Sequence, residues 1–288
     1  MHILYKGDLM SKKVISILFS FILVLFSFFY TNKIINIFKD KDPIMLEIKK
    51  YDELYSDTKI DSIIINNDII PGIKGIKIDI DKSYKNMKKA KEFNKSLLVF
   101  KETIPSNDIK NNYNHYIVSM NKSQNKVSLI FVMNDLDNLN DILSILKNKN
   151  VNTTFFLSKE IIDNSFEYIR LILNNNHEIE LLSDTYTIYE VNKYSSFFKQ
   201  LSNNKLLFCL NKDRNDVLLK SCESSKLYSI VPSIIKTNGL YNYVKNNLEN
   251  GLIIALSNNK QIVNEISSTI NYIEQKGKKI VLLKSIIE

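Results

Sequence analysis

KVSLIFVMND (126–135) and NVNTTFFLSKEIIDNSFEYIRLILNNNHEIELLSDTY (150–186) decide the fold of this 288-residue chain. Val127–Met133 and Thr153–Leu157 are short β-branched and aromatic runs bounded by Asn-rich turns, the pattern of buried strands. Between them Leu139, Leu143 and Leu146 recur at spacings of four and three, which puts them on one helix face turned toward a sheet. Ile162, Phe166, Ile169 and Leu173 repeat the pattern up to the Asn174–Asn176 breaker, and Glu178–Leu182 reads as a third strand.

The alternation continues to the end of the chain. Leu206–Leu210, Leu227–Val231, Leu252–Leu256 and Lys279–Leu283 are further apolar runs. Helical spacing separates most of them, at Val217 and Leu218, at Tyr241, Val244 and Leu248, and at Ile262, Ile266, Ile270 and Ile273 before Gly277. Seven strand-helix units imply an α/β fold with a parallel sheet. Closure into a barrel removes the sheet's edges, and an open doubly wound sheet fits the same alternation.

The opening residues also resemble a known family. KVSLIF, TTFF and NHEIELLSD are similar to the polysaccharide deacetylase family (NodB homology domain, carbohydrate esterase family 4). Its members typically read K-x-x-L-T-F-D-D-G-P, K-A-T-F-F and G-H-E-I-G-N-H-S-x-x-H. LENGLIIALSNNK, then a helix, then GKKIVLL resembles the family's closing L-x-x-G-x-I-I-L-L-H-D and G-Y-x-F-V-T-L. The likeness spans 126–288 and implies a distorted, incomplete (β/α)7 barrel over 124–288.

It also implies a metal-dependent hydrolase site. One Asp and two His would hold a divalent ion that activates water, with an Asp as base and a His as acid. Carried over by position, the Asp pair falls on Val132 and Met133, and the two ligand histidines fall on Leu182 and Tyr186. The family's Arg falls on Cys209, followed by Leu210 and Asn211, and its late L-H-D falls on Leu256, Ser257 and Asn258. His177 matches a His that is no ligand in that pattern, and the chain holds only His2, His115 and His177. The expectation is a degenerate member with no catalytic residues and no cofactor. An all-carboxylate site at Asp135 and Asp184, near Asp137 and Asp141, is the alternative for a divalent metal. For binding, Tyr186, Tyr189, Asn211, Asn258 and Asn259 offer stacking and hydrogen bonds at the barrel mouth.

Before the barrel, Val14–Tyr30 (VISILFSFILVLFSFFY) carries no charge and extends through Thr31 and Asn32. A helix of that length covers roughly 27 Å, about a bilayer's hydrocarbon core. Lys6, Lys12 and Lys13 precede it, so residues 1–13 read as a cytoplasmic stub and 14–32 as a transmembrane signal anchor. No small-residue cleavage pattern follows, and the rest of the chain is expected outside the cell membrane. Residues 40–122 read as a small α+β module. Within it Asp40–Thr58 is a stalk or short helix, Ile60–Ile65 and Ile73–Ile80 are strands, and Asp81 or Ser83 caps a helix to about Asn94. Leu97–Phe100 and Tyr116–Met120 are its remaining strands. Asp79 and Asp81 as a cation site, and His115, each have a plainer reading as solvated groups.

A net charge of +8 spread over scattered lysines suits solubility or attraction to anionic envelope surfaces. Outside the membrane, nucleic acid is excluded as a partner, leaving cell-wall glycan or an envelope protein. The chain has no G-x-S-x-G, no Gly-rich phosphate loop and no H-E-x-x-H. Cys209 and Cys222 read as buried free thiols, because a bridge requires the intervening helix to double back.

Overall fold

The computed structural model describes residues 4–182, 187–202 and 205–287, with side chains from Val14 onward. In chain order the elements begin with α1 (Leu4–Asp40), α2 (Pro43–Tyr55), β1 (Ile63–Ile65), β2 (Asp68–Ile70), β3 (Gly75–Ile78), α3 (Ile80–Ala90), β4 (Phe100–Thr103) and β5 (Tyr116–Ile117). The strand-helix alternation then starts with β6 (Lys126–Met133), α4 (Leu139–Lys149), β7 (Thr154–Ser158), α5 (Lys159–Asn164), α6 (Phe166–Asn174), β8 (Glu178–Leu182) and α7 (Ile188–Ser202). It ends with β9 (Phe208–Leu210), α8 (Asp216–Ser224), β10 (Tyr228–Ile230), β11 (Ile234–Lys236), α9 (Leu240–Asn247), β12 (Ile253–Ser257), α10 (Lys260–Gln275) and β13 (Lys279–Ile280).

Two compact units emerge. Met1–Thr58 and Gly75–Thr103 form the first, and Lys59–Lys74 and Ile104–Glu288 form the second. The continuous module expected over 40–122 is therefore divided. The reason is backbone pairing: β2 pairs in parallel with β5, and β5 in parallel with β10, so both belong to the large sheet.

In the first unit, Asp42 caps α2 by accepting the N–H of Ile44, and Pro43 follows at the position where a missing N–H costs nothing. The stalk-or-helix stretch is thus a helix. Asp79, rather than Asp81 or Ser83, caps α3 through the N–H of Lys82, and the helix stops at Ala90 with Lys91 left-handed. Ile48, Ile78 and Met87 make this unit's core.

In the second unit, β10-β9-β8-β7-β6-β12-β11 run parallel in that order, flanked by β5, β2 and β1 beyond β10. The sheet is a curled half-barrel that does not close, and β13 pairs with the start of β6. Alternation along each strand makes two cores. Leu129, Phe131, Met133, Phe155, Leu157, Ile179, Leu181, Ile254 and Leu256 face the helices. Ile130, Phe156, Phe208, Ile230, Ile253 and Ala255 face inward, closed below by Ile109, Leu283 and Ile286. Gly251, at φ +85°, opens β12, because a Cβ there would lie 2.5 Å from the carbonyl oxygen of Met120.

Cys209 and Cys222 are disulfide-bonded, with Cα atoms 6.2 Å apart, which corrects the free-thiol expectation. A crossover helix runs antiparallel to the strand before it, so the last turn of α8 returns to the start of β9 without bending. The bridge closes a loop with a sequence separation of 13. Cys209→Ala with Cys222→Ala is expected to lower unfolding stability by about 3 kcal/mol through the freed unfolded chain. Urea titration of both proteins in detergent measures it, and an unchanged midpoint would contradict this account.

Candidate functional site

In a parallel barrel, reactive groups sit beyond the carboxyl ends of the strands. Here that rim is built from Met133, Ser158, Leu182, Leu210, Ile230 and Ser257. Val132 lies in register between Phe156 of β7 and Ser257 of β12, half-buried on the inner face. Met133 is fully buried against the helices, and Leu182 is half-buried beside Ser158. Cys209 is spent in the disulfide. The Ser257 hydroxyl is buried without a hydrogen-bond partner among the described residues. Tyr186 and Asp184 lie outside the described residues, as does Ser183.

The polar residues of the rim bind one another. Asn258, 9% exposed, donates from Nδ2 to Asp135 Oδ1 at 2.6 Å and to the Asp137 carbonyl at 3.0 Å. Asn138 returns a bond to the Asn258 carbonyl at 2.9 Å, and the Asp137 N–H also donates to Asp135 Oδ1. The loop after β6 is thereby tied to the end of β12. Asn259 caps α10 through the N–H of Ile262 and donates to the Thr237 carbonyl. Asn211, fully buried, exchanges two bonds with the Asn215 backbone. These three amides hold loops rather than present themselves to a ligand, and Tyr189 alone of the described set is widely exposed, at 77%.

A divalent metal does not fit these residues. Val132, Met133 and Leu182 offer no oxygen or imidazole, Asp135 Oδ1 already accepts two N–H donors, and Asp141 pairs with Lys260 at 3.0 Å. Among the described residues no group of three or more His, Cys, Asp or Glu side chains converges on one point. In the first unit, Asp79 caps α3 and Asp81 bonds Lys39, and in the second His115 is exposed beside Asn114.

Two acidic side chains that the sequence reading passed over are buried inside the sheet. Glu180 Oε2 accepts the N–H groups of Leu207 and Phe208, both at 3.0 Å, where β8 and β9 share little ladder. Burial pushes its carboxyl well above the usual range. Glu178 accepts from Thr154 Oγ1 at 2.6 Å and from the Lys284 N–H, fastening the carboxyl-terminal segment across the barrel floor. The strict alternation in EIELL, with both Glu on the face opposite Ile179 and Leu181, is the signal that marks them.

Residues 119–211 match the family model for polysaccharide deacetylase. This stretch is polysaccharide deacetylase-like. A curated relative, an uncharacterized protein YlxY of Bacillus subtilis (strain 168), is 30% identical over 144 residues, 48% of this chain. The match spans only 44% of that relative's length. The crystal structure of wild-type BA3943, a family 4 carbohydrate esterase pseudoenzyme from Bacillus anthracis, superposes with a TM-score of 0.63 at 21% identity, covering 86% of this chain and 96% of that one. A family 4 carbohydrate esterase from the same organism gives 0.51 at 15% identity, over 59% and 86%. At these identities the structural likeness is one of fold.

In the deacetylase-like stretch, His177 serves structure. It is 5% exposed, its Nδ1 accepts the Thr153 N–H at 3.1 Å, and its ring meets Phe155 edge-on. Desolvation lowers its pKa to about 4. The unfolded chain takes up a proton near pH 6.5 that the fold refuses, so this contribution is whole above that pH and is lost as pH falls toward 4. The loss is about 3 kcal/mol. His177→Asn keeps an acceptor and removes the titration. Its stability, followed by urea unfolding from pH 7 to 4, is expected to fall less steeply than wild type by that amount, and parallel curves would refute the assignment. Asn258→Ala is expected to cost about 2 kcal/mol, since it removes the bond to the Asp135 carboxylate, with faster amide exchange at 134–138. Unchanged exchange there would show that the tie does not hold the loop.

Proposed function

We propose that this chain is a membrane-held protein of the deacetylase fold that binds at the cell envelope instead of hydrolysing. The observation that carries this reading is the hydrocarbon at the metal and proton-transfer positions, Val132, Met133 and Leu182, beside an Asp135 carboxylate engaged by Asn258. Water activation requires an ion with an open coordination position and a base near it, and these side chains supply neither. The likeness to BA3943 supports it, since that protein is a pseudoenzyme of which a mutant has restored activity.

α1 contains one stretch, Val14–Asp40, long and apolar enough to cross a bilayer, none of it buried. A membrane span and a signal sequence share that pattern, and we read it as an uncleaved anchor with the deacetylase domain outside the cell. The Cys209–Cys222 bridge favours that side, because disulfides persist in oxidising compartments. The ligand we propose is a cell-wall glycan, stacked on the exposed Tyr189 ring with Tyr186 nearby in sequence. An envelope protein is the second partner class. Hydrolysis through unorthodox ligands at Asp135 and Asp184 is the competing reading, and the Asn258 bond weighs against it.

The purified full chain in detergent is expected to retain no stoichiometric divalent metal, to release no acetate from acetylated peptidoglycan, and to give binding heat with chitooligosaccharides. Acetate release dependent on bound metal would sink the pseudoenzyme reading, and absent heat would sink the glycan. The combined variant V132D/M133D/L182H/Y186H/S257H, where it folds, is expected to gain zinc that wild type lacks.

A further inference from the structure

Helix α3 reads IDKSYKNMKKA, with Ser83 and Met87 buried against the first unit's core and its lysines on the exposed side. Lys88 is bonded to Asp42, which also accepts the Tyr84 hydroxyl at 2.9 Å, and Lys82 lies 3.7 Å from Asp79. Lys85 and Lys89 have no carboxylate partner among the described residues. Spacings of three and four put Lys82, Lys85 and Lys89 on one helix face. Lys39, Asp81, Tyr84, Lys85, Lys88 and Lys89 line an open cleft of about 510 Å³ beside the end of α1.

The position of that cleft along α1 is the second observation. Lys39 bonds Asp81 and stands over the Tyr84 ring, 5.3 Å from its centre, so α3 is fixed at the level of residue 39. The apolar surface of α1 does not stop at Tyr30: Ile34, Ile35, Ile37 and Phe38 are exposed, Phe38 by 73%. From Asn32 at the hydrocarbon boundary, the helix carries Lys39 roughly 10 Å outward, just beyond a headgroup layer that is roughly 5–7 Å thick on each side. Lysine stems of that length then reach lipid phosphates, within a screening length of about 8 Å.

We propose that the α3 face around Lys85 and Lys89 contacts anionic phospholipid headgroups of the membrane that α1 enters. The inference rests on the reading of α1 as a membrane span. Two cations without internal partners, held beside the helix exit, draw anionic lipid in preference to zwitterionic lipid, whose net charge is zero. The contact orients the first unit on the bilayer surface.

The full chain, reconstituted in vesicles of phosphatidylcholine alone or mixed with phosphatidylglycerol, is treated with an amine-acylating reagent, and each lysine is followed by mass spectrometry. Acylation of Lys85 and Lys89 is expected to slow about three-fold or more in the anionic vesicles, with Lys220 of the second unit unaffected. The effect is expected to vanish in 1 M salt, where screening falls to about 3 Å. In the K85E/K89E variant, Lys82 is expected to lose its dependence on lipid charge. Equal rates in both vesicles overturn the proposal. So does protection by a soluble polyphosphate added to phosphatidylcholine vesicles without any from phosphatidylglycerol, which assigns the face to an anionic polymer. Release of the chain by alkaline carbonate removes the span itself, whereas retention without protection removes only the headgroup contact.

Discussion

Strand β6 pairs with β7 on one side and β12 on the other, and its residues are buried on both faces of the sheet. A parallel strand in that position is apolar along most of its length, since a polar side chain on it is desolvated; Ser128 is the exception, buried with no hydrogen-bond partner among the described residues. The family pattern that the sequence resembles has a carboxylate pair at the last two positions of this run, where it implies a metal site. This chain carries the apolar run to the end, through Val132 and Met133. The strand that organises the sheet is thus also the strand on which the chemistry depends.

The rim compensates in a consistent way. The polar groups beyond the strand ends need partners, and among the described residues side-chain amides supply several of them. Asn258 does this for the loop after β6, Asn259 for the start of α10, and Asn211 for the turn into α8. The amides of Asn259 and Asn211 donate and accept at once, and that of Asn258 donates to both the Asp135 carboxylate and the Asp137 carbonyl, where a carboxylate serves only acceptor duty. On the far side of the barrel the trend reverses. Glu178 and Glu180 are buried there, Glu180 accepting the N–H groups of Leu207 and Phe208 and Glu178 the Lys284 N–H together with the Thr154 hydroxyl, so carboxylates hold the floor together.

The large sheet was legible in the sequence because strands buried on two faces are continuous apolar runs, and β6, β7, β8 and β12 lie where those runs do. The short pieces were not. β2 and β11 are three residues each, too brief for any period to show, and they are strands only because a neighbouring edge receives them. The disulfide was misread for a geometric reason, the return of α8 along β9. The bonds of Asn258 were not legible because its partners lie about 120 residues away, and composition at a strand end does not distinguish an amide facing a ligand from one facing a loop.

The same constraint bears on why such a domain keeps its shape once the metal positions are filled with hydrocarbon. A metal-bound rim couples loop order to metal availability, because the ion's binding energy is part of folding. A rim closed by amides and one disulfide is ordered by the chain alone. Surface geometry then becomes independent of any cofactor. That independence suits the role proposed for this chain, a face held near a bilayer, with exposed Tyr189 at the rim of one unit and, on the other, Lys85 and Lys89, which have no carboxylate partner among the described residues.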